Sequence, residues 1–182
     1  MPYNQEIHHR RSIRLKHYDY SQAGLYFITL CVNNRESLFG EIIEDQMILN
    51  AAGAMIEKEW QALQNRFLQI ELHEYIVMPN HFHAILSLQM TPRHAGAPLV
   101  DALVTQTITK TLSEIIGAFK SITTIKYIRG VKTYHWHGFE GKLWQRNYWE
   151  HVIRNEQSRS EIAQYIITNP QKWEIDQLRP IG

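Results

Sequence analysis

A chain of 182 residues is long enough for one domain burying about two-thirds of its unfolded surface, and short for two. Its composition is 44% hydrophobic, 20% charged and 11% aromatic, which excludes a disordered, collagen-like or low-complexity protein. A net charge of +1 does not by itself mark a nucleic-acid partner, and Cys31 as the only cysteine excludes an intrachain disulfide or a thiolate zinc cage.

No apolar run approaches the roughly 20 residues of a membrane span. The amino end lacks a basic-then-apolar leader, so a cytoplasmic protein is expected. Residues 24–32 (GLYFITLCV) are β-branched and aromatic and run into Asn33-Asn34, which predicts a buried strand and puts Cys31 in the core. Asn50 opens a helix over 50–67, with Ala54, Ile56, Trp60, Leu63 and Phe67 at helical spacing. Residues 68–78 and 81–89 read as two strands of a hairpin about a Pro79-Asn80 turn. Pro, Gly, Thr and Ala then make 90–110 a long loop. A second helix follows over 112–128, with Ile115, Ile116, Phe119, Ile122 and Tyr127 as its buried stripe. The aromatic-rich stretch 143–152 supplies a fourth strand. In the last helix Ser158-x-x-Glu161 is a capping-box pattern, Ile162 and Ile166 lie one turn apart, and Pro170 ends the run.

Strand, helix, strand, strand, helix, strand, helix is the order of an α+β, ferredoxin-like (RRM-like) split βαβ domain with one appended helix. Its antiparallel sheet would bury one face under two helices and keep the other for a ligand. Charge is segregated along the chain. Lys120, Lys126, Arg129, Lys132, Lys142 and Arg146 face only Glu140 in their stretch, and Arg10, Arg11, Arg14 and Lys16 crowd the amino end. Residues 41–74 are instead acidic. Such a distribution either lines a basic face for a phosphate backbone or covers ordinary solvated surfaces.

His81-Phe82-His83 opens a strand, so both imidazoles point to one side and Phe82 to the other. The pair reads as two ligands of a divalent cation or as solvated histidines on an open face. A second such spacing, His135-Trp136-His137, falls in loop sequence near Gly130 and Gly138. Tyr165 and Asn169 are four residues apart and share a helix face. Asn169 precedes Pro170, which frees its end of the helix. A helix laid over the open sheet face could bring Asn169 to the histidine pair and hold Tyr165 one turn away. The alternative is a packing tyrosine and a capping asparagine.

Five segments in order, RRSIRLKHYDY (10–20), VMPNHFHAIL (77–86), IIGAFKSITT (115–124), LWQRNYWEHVIRN (143–155) and QYIITNP (164–170), carry a resemblance. Together they resemble the single-tyrosine HUH transposases, and the REP-associated tyrosine transposase branch in particular. That resemblance implies a ferredoxin-like catalytic domain that cleaves and rejoins single-stranded DNA near a hairpin or palindromic repeat. It implies Tyr165 as nucleophile, forming a covalent 5′-phosphotyrosine, and His81, His83 and Asn169 as ligands of Mg²⁺ or Mn²⁺. Insertion-sequence members of the family act as dimers, so a homodimer is one expected state. On this reading Arg10, Arg11, Arg14, Lys120 and Arg146 would follow the DNA backbone, and Tyr148 or Trp149 would stack on unpaired bases unless they are core. His151 is a candidate base for Tyr165. A non-catalytic single-stranded nucleic-acid-binding module and a metal-dependent phosphodiesterase using water are the alternatives.

Overall fold

The computed structural model describes residues 23–89 and 110–180. In chain order they form β1 (Gly24–Cys31), a 3₁₀ turn (Asn33–Arg35), β2 (Gly40–Ile43), β3 (Gln46–Leu49), α1 (Ala51–Gln61) and the single turn α2 (Leu63–Arg66). After these come β4 (Ile70–Val77), β5 (His81–Leu88), α3 (Leu112–Tyr134), β6 (Trp149–Ile153), α4 (Glu156–Ile167) and a closing 3₁₀ helix (Pro170–Ile175).

The main sheet has the order β4-β5-β1-β6 with every pair antiparallel. β5 therefore lies between β1 and β4, and β1 lies between β5 and β6, which is the split βαβ arrangement expected from the element order. Strand alternation divides the side chains between two faces. Tyr26, Ile28 and Leu30 of β1 and Phe82, Ala84 and Leu86 of β5 go to the helix-covered face, each no more than 1% exposed. There α1 delivers Ile56 and Trp60, and α3 delivers Ile115, Ile116 and Phe119. Trp60, Phe82 and Phe119 form a ring cluster with centroids 4.8–5.7 Å apart, a geometry in which aromatic pairs add to simple burial.

The helix starts follow from local chemistry. Asn50 caps α1 by accepting from the Gly53 amide at 2.9 Å, and Thr111 with Glu114 closes a reciprocal capping box on α3. Hydrogen bonds from Lys110 and from the Thr111 backbone and hydroxyl hold the exposed Glu114 carboxyl down at about 2. α3 runs to Tyr134, beyond the expected end at 128. Trp136 folds back over Gly130, where a β-carbon would stand 2.2 Å from the indole, and left-handed His135 stops the helix. The second histidine pair thus serves this terminus: the His137 carbonyl accepts from the Tyr127 hydroxyl at 3.0 Å.

Four expectations need correction. The hairpin β2–β3 was not expected, and the acidic stretch it occupies turns through Glu44 and Asp45 at positive φ. α4 begins at Glu156 rather than at Ser158, because the Asn155 side chain caps it by accepting from the Ser158 amide at 2.8 Å. The fourth strand begins at Trp149, and Trp144 joins β1's continuation only through a bridge to Val32. Ala54 is exposed instead of lying in the buried stripe of α1. The expected 90–110 loop falls, but for its last residue, outside the described residues.

α4 crosses the second face of the sheet. Ile166, with Ile162 and Ala163, packs on Ile85 and Ile153 and on Leu25, Phe27 and Ile76. This small apolar patch, separate from the main core, fixes where the end of α4 lies over β1 and β5. Among the described residues no helix is long and apolar enough to cross a membrane.

Candidate active site

Register on the second sheet face puts Cys31 opposite His81, Thr29 opposite His83, and Ile76 opposite His83 on the other side. Both imidazoles are enclosed, His81 at 0% and His83 at 2% exposed, so the solvated-histidine alternative does not hold. Their ring centroids are 4.6 Å apart. α4 carries Tyr165 over this face. Its hydroxyl lies 3.3 Å from His83 Nε2, and its ring meets Phe27 edge-on while Phe27 stacks on His83.

Each imidazole is anchored through its other nitrogen. Asn80 Nδ2 donates to the carbonyls of Arg35 (3.0 Å) and Leu178 (2.7 Å), which turns Asn80 Oδ1 toward His81 Nδ1 at 2.8 Å. His81 Nδ1 is therefore the protonated nitrogen, and its Nε2 carries the lone pair. His83 Nδ1 lies 2.7 Å from Thr29 Oγ1. With Nδ1–H donating to Thr29, Nε2 of His83 accepts from the Tyr165 hydroxyl.

Burial keeps both rings neutral. It pushes His81 from its ordinary 6.5 to about 4, although the Asp176 carboxylate and Asn169 amide pull upward. Burial and then the neighbouring His81 hold His83 well below its usual value. The Tyr165 phenol is raised by burial and secondarily by Asp176, with Asn169 opposing.

Asn169, two residues past the end of α4 and leading into the closing 3₁₀ helix, lies over the same site and is 1% exposed. Among the described residues its Oδ1 and His81 Nε2 are both buried with no hydrogen-bond partner. Leaving such a group unpaired costs about 1–3 kcal/mol each, a cost that a cation on these lone pairs would relieve. Two neutral imidazole nitrogens and an amide oxygen suit a divalent cation that must exchange and keep open positions. The residues present thus fit the implied metal.

The structure brings together His81, His83, Tyr165 and Asn169 from two separate stretches of sequence. It also adds residues that sequence reading missed. Asp176, from the turn after the 3₁₀ helix, has a side chain only 6% exposed, with Oδ2 4.0 Å from His81 Nε2. Trp173 packs on His81, and Asn80 and Thr29 orient the two rings. Only Asn80 stood beside a recognised residue, in the turn before His81.

The expected DNA contacts fare differently. Arg10, Arg11 and Arg14 lie outside the described residues. Lys120 Nζ donates to the Gln145 (2.6 Å) and Arg146 (3.1 Å) carbonyls, so this ammonium clamps the approach to β6, and burial lowers its pKa. The Arg146 side chain is exposed. Trp144 is core and donates to Thr123 Oγ1; Tyr148 is half-buried against the core; Trp149 is 58% exposed, opposite Thr29. His151 is exposed opposite Phe27, and the imidazole touching Tyr165 is that of His83.

Fold and site together define an α+β, ferredoxin-like domain whose second sheet face joins a helix-borne tyrosine to two buried histidines. No family model matches the chain. It is 42% identical over 180 residues to an uncharacterized protein of Haemophilus influenzae, covering 97% of this chain and 96% of that protein, and it belongs to the same family. Its fold is similar to that of a REP-associated tyrosine transposase solved bound to a REP hairpin. The TM-score is 0.57 at 21% identity, over 87% of this chain and 73% of the other.

Proposed function

We propose that this chain is a DNA transposase and single-strand endonuclease that cuts and rejoins DNA near a hairpin or palindromic repeat through a covalent 5′-phosphotyrosine. The observation that carries the reading is the Tyr165 hydroxyl 3.3 Å from His83 Nε2, on a face where His81 Nε2 and Asn169 Oδ1 are buried without partners. The likeness in fold to a transposase bound to hairpin DNA supports the substrate class.

In this reading His81 Nε2, His83 Nε2 and Asn169 Oδ1 hold Mg²⁺ or Mn²⁺, which would neutralise a non-bridging oxygen of the scissile phosphate and orient it. Thr29 and Asn80 keep the two imidazoles pointed at that place. The Tyr165 oxygen bonds to phosphorus as the 3′ oxygen of the preceding nucleotide leaves, giving a 5′-phosphotyrosine and a free 3′-hydroxyl. A phenol is a better leaving group than an alkoxide, so a later DNA 3′-hydroxyl can displace Tyr165 and reseal the strand without ATP. Burial raises the Tyr165 pKa, so the phenol keeps its proton until attack. His83 has one free lone pair and cannot both take that proton and serve as a ligand. In this reading solvent water takes the proton, since Tyr165 is 38% exposed. Exposed Trp149, beside Thr29 on the same face, is placed to stack on an unpaired base.

The test is incubation with labelled, hairpin-bearing single-stranded DNA and Mg²⁺, followed by a denaturing gel. A covalent adduct is expected, absent in Tyr165→Phe and in His81→Ala. DNA retained without cleavage would overturn the reading in favour of a binding module. Cut DNA with no adduct would overturn it in favour of a water-using phosphodiesterase.

A further inference from the structure

Among the described residues Asp176 is the carboxylate enclosed against His81, and the proposed chemistry leaves it without a task. Three observations bear on it. Its Oδ2 lies 4.0 Å from His81 Nε2, too far for a hydrogen bond. Two metal–ligand bonds of roughly 2.1 Å span up to about 4.2 Å, so one cation can touch both atoms. Its Oδ1 accepts from the Leu178 amide at 2.6 Å, which sets the carboxylate's orientation independently of any cation. And Leu178 is itself tied back, since its carbonyl accepts from Asn80, the residue that orients His81.

We propose that Asp176 is an anionic oxygen ligand of the cation held by His81, His83 and Asn169, and that cation binding seats the chain segment following the 3₁₀ helix. The inference rests on the metal-assisted reading and goes beyond it by adding a charged fourth donor. A site of two imidazoles and an amide is electrically neutral, and magnesium and manganese favour oxygen donors. A carboxylate supplies both the missing charge and the preferred donor. Asp176 Oδ2 already stands at a bridging separation from His81 Nε2, so a shared cation would hold the turn that carries Asp176 against the strand-borne imidazoles. Because coupling between two events is reciprocal, a seated segment tightens the metal and the metal tightens the segment.

The probe is Mn²⁺ alone, without DNA, titrated into the full chain and counted by electron paramagnetic resonance. Asp176→Asn keeps the oxygen that accepts from Leu178 and removes only the charge. It is expected to weaken Mn²⁺ by roughly 10–100-fold, as loss of a metal-site partner does, with thermal melting of the metal-free protein unchanged. Hydrogen exchange on the wild-type chain should show Mn²⁺-dependent protection of residues 173–180, a readout that stands even if the variant fails to fold. Wild-type Mn²⁺ affinity in Asp176→Asn, with binding lost in His81→Ala, would overturn the assignment of Asp176 and leave the metal reading intact. Unchanged binding in both variants would overturn the two together. Absence of added protection over 173–180 would overturn the seating.

Discussion

At the scale of single residues the chemistry depends on which nitrogen of each imidazole is occupied. Asn80 settles this for His81, and it does so with both halves of its amide, donating to two carbonyls and accepting from the ring. Asn80→Ala should therefore lower stability by about 1–3 kcal/mol through the buried groups it leaves unpaired, measured as a shift of the urea midpoint. The side-by-side placement of His81 and His83 was legible in the sequence because strand alternation leaves no freedom in that choice. The expected sharing of one helix face by Tyr165 and Asn169 is not what the structure holds, because α4 ends at Ile167 and Asn169 leads into the closing 3₁₀ helix. Asp176 was not legible in the sequence. A carboxylate that arrives from a turn after a 3₁₀ helix carries no periodic signal, and its neighbour in space, His81, is far away in the chain.

At the scale of elements the sequence reads well where one local rule dominates and poorly where two compete. β1, β4, β5 and α3 announce themselves by apolar alternation or helical spacing. The β2–β3 hairpin hides because its strands are four residues long and its turn is Glu44-Asp45, rather than the Asn-Gly or Asp-Gly that marks such turns. α4 is capped by Asn155, one turn before the Ser158 that the sequence pattern suggests. Tight packing at the start of α1 makes a sharper prediction. A β-carbon at Gly53 would sit 2.1 Å from the Phe39 carbonyl oxygen, which belongs to backbone that cannot easily yield. Gly53→Ala should destabilise by about 1–3 kcal/mol, against the gain of up to about 1 kcal/mol that alanine normally brings to a helix. Calorimetric melting checks the sign.

At the scale of the whole molecule the buried imidazoles couple folding to pH. His81 titrates near 6.5 when unfolded and at about 4 when folded, so between those values the unfolded chain binds more protons. Stability should be level above pH 6.5 and fall as pH drops toward 4, by about 2 kcal/mol at pH 5 from this group alone. His83, also held well below its usual value, adds to the loss. Glu59 lies below its ordinary 4.5 because hydrogen bonds from Lys126 and Arg66 outweigh its burial. It and Glu114 withdraw their contributions only at lower pH, so denaturation between pH 5 and 6.5 isolates the histidines. A flat profile there would mean that the rings are open to water.

The site has two parents. The imidazoles belong to the sheet and are oriented by Thr29 on β1 and Asn80 in the turn before β5, whereas phenol, amide and carboxylate all arrive after Ile153, on a stretch pinned by a few isoleucines. A chain cut back to Arg154 would lack all three groups at a stroke, together with the Leu178 carbonyl that accepts from Asn80, so His81 would lose part of what orients it as well.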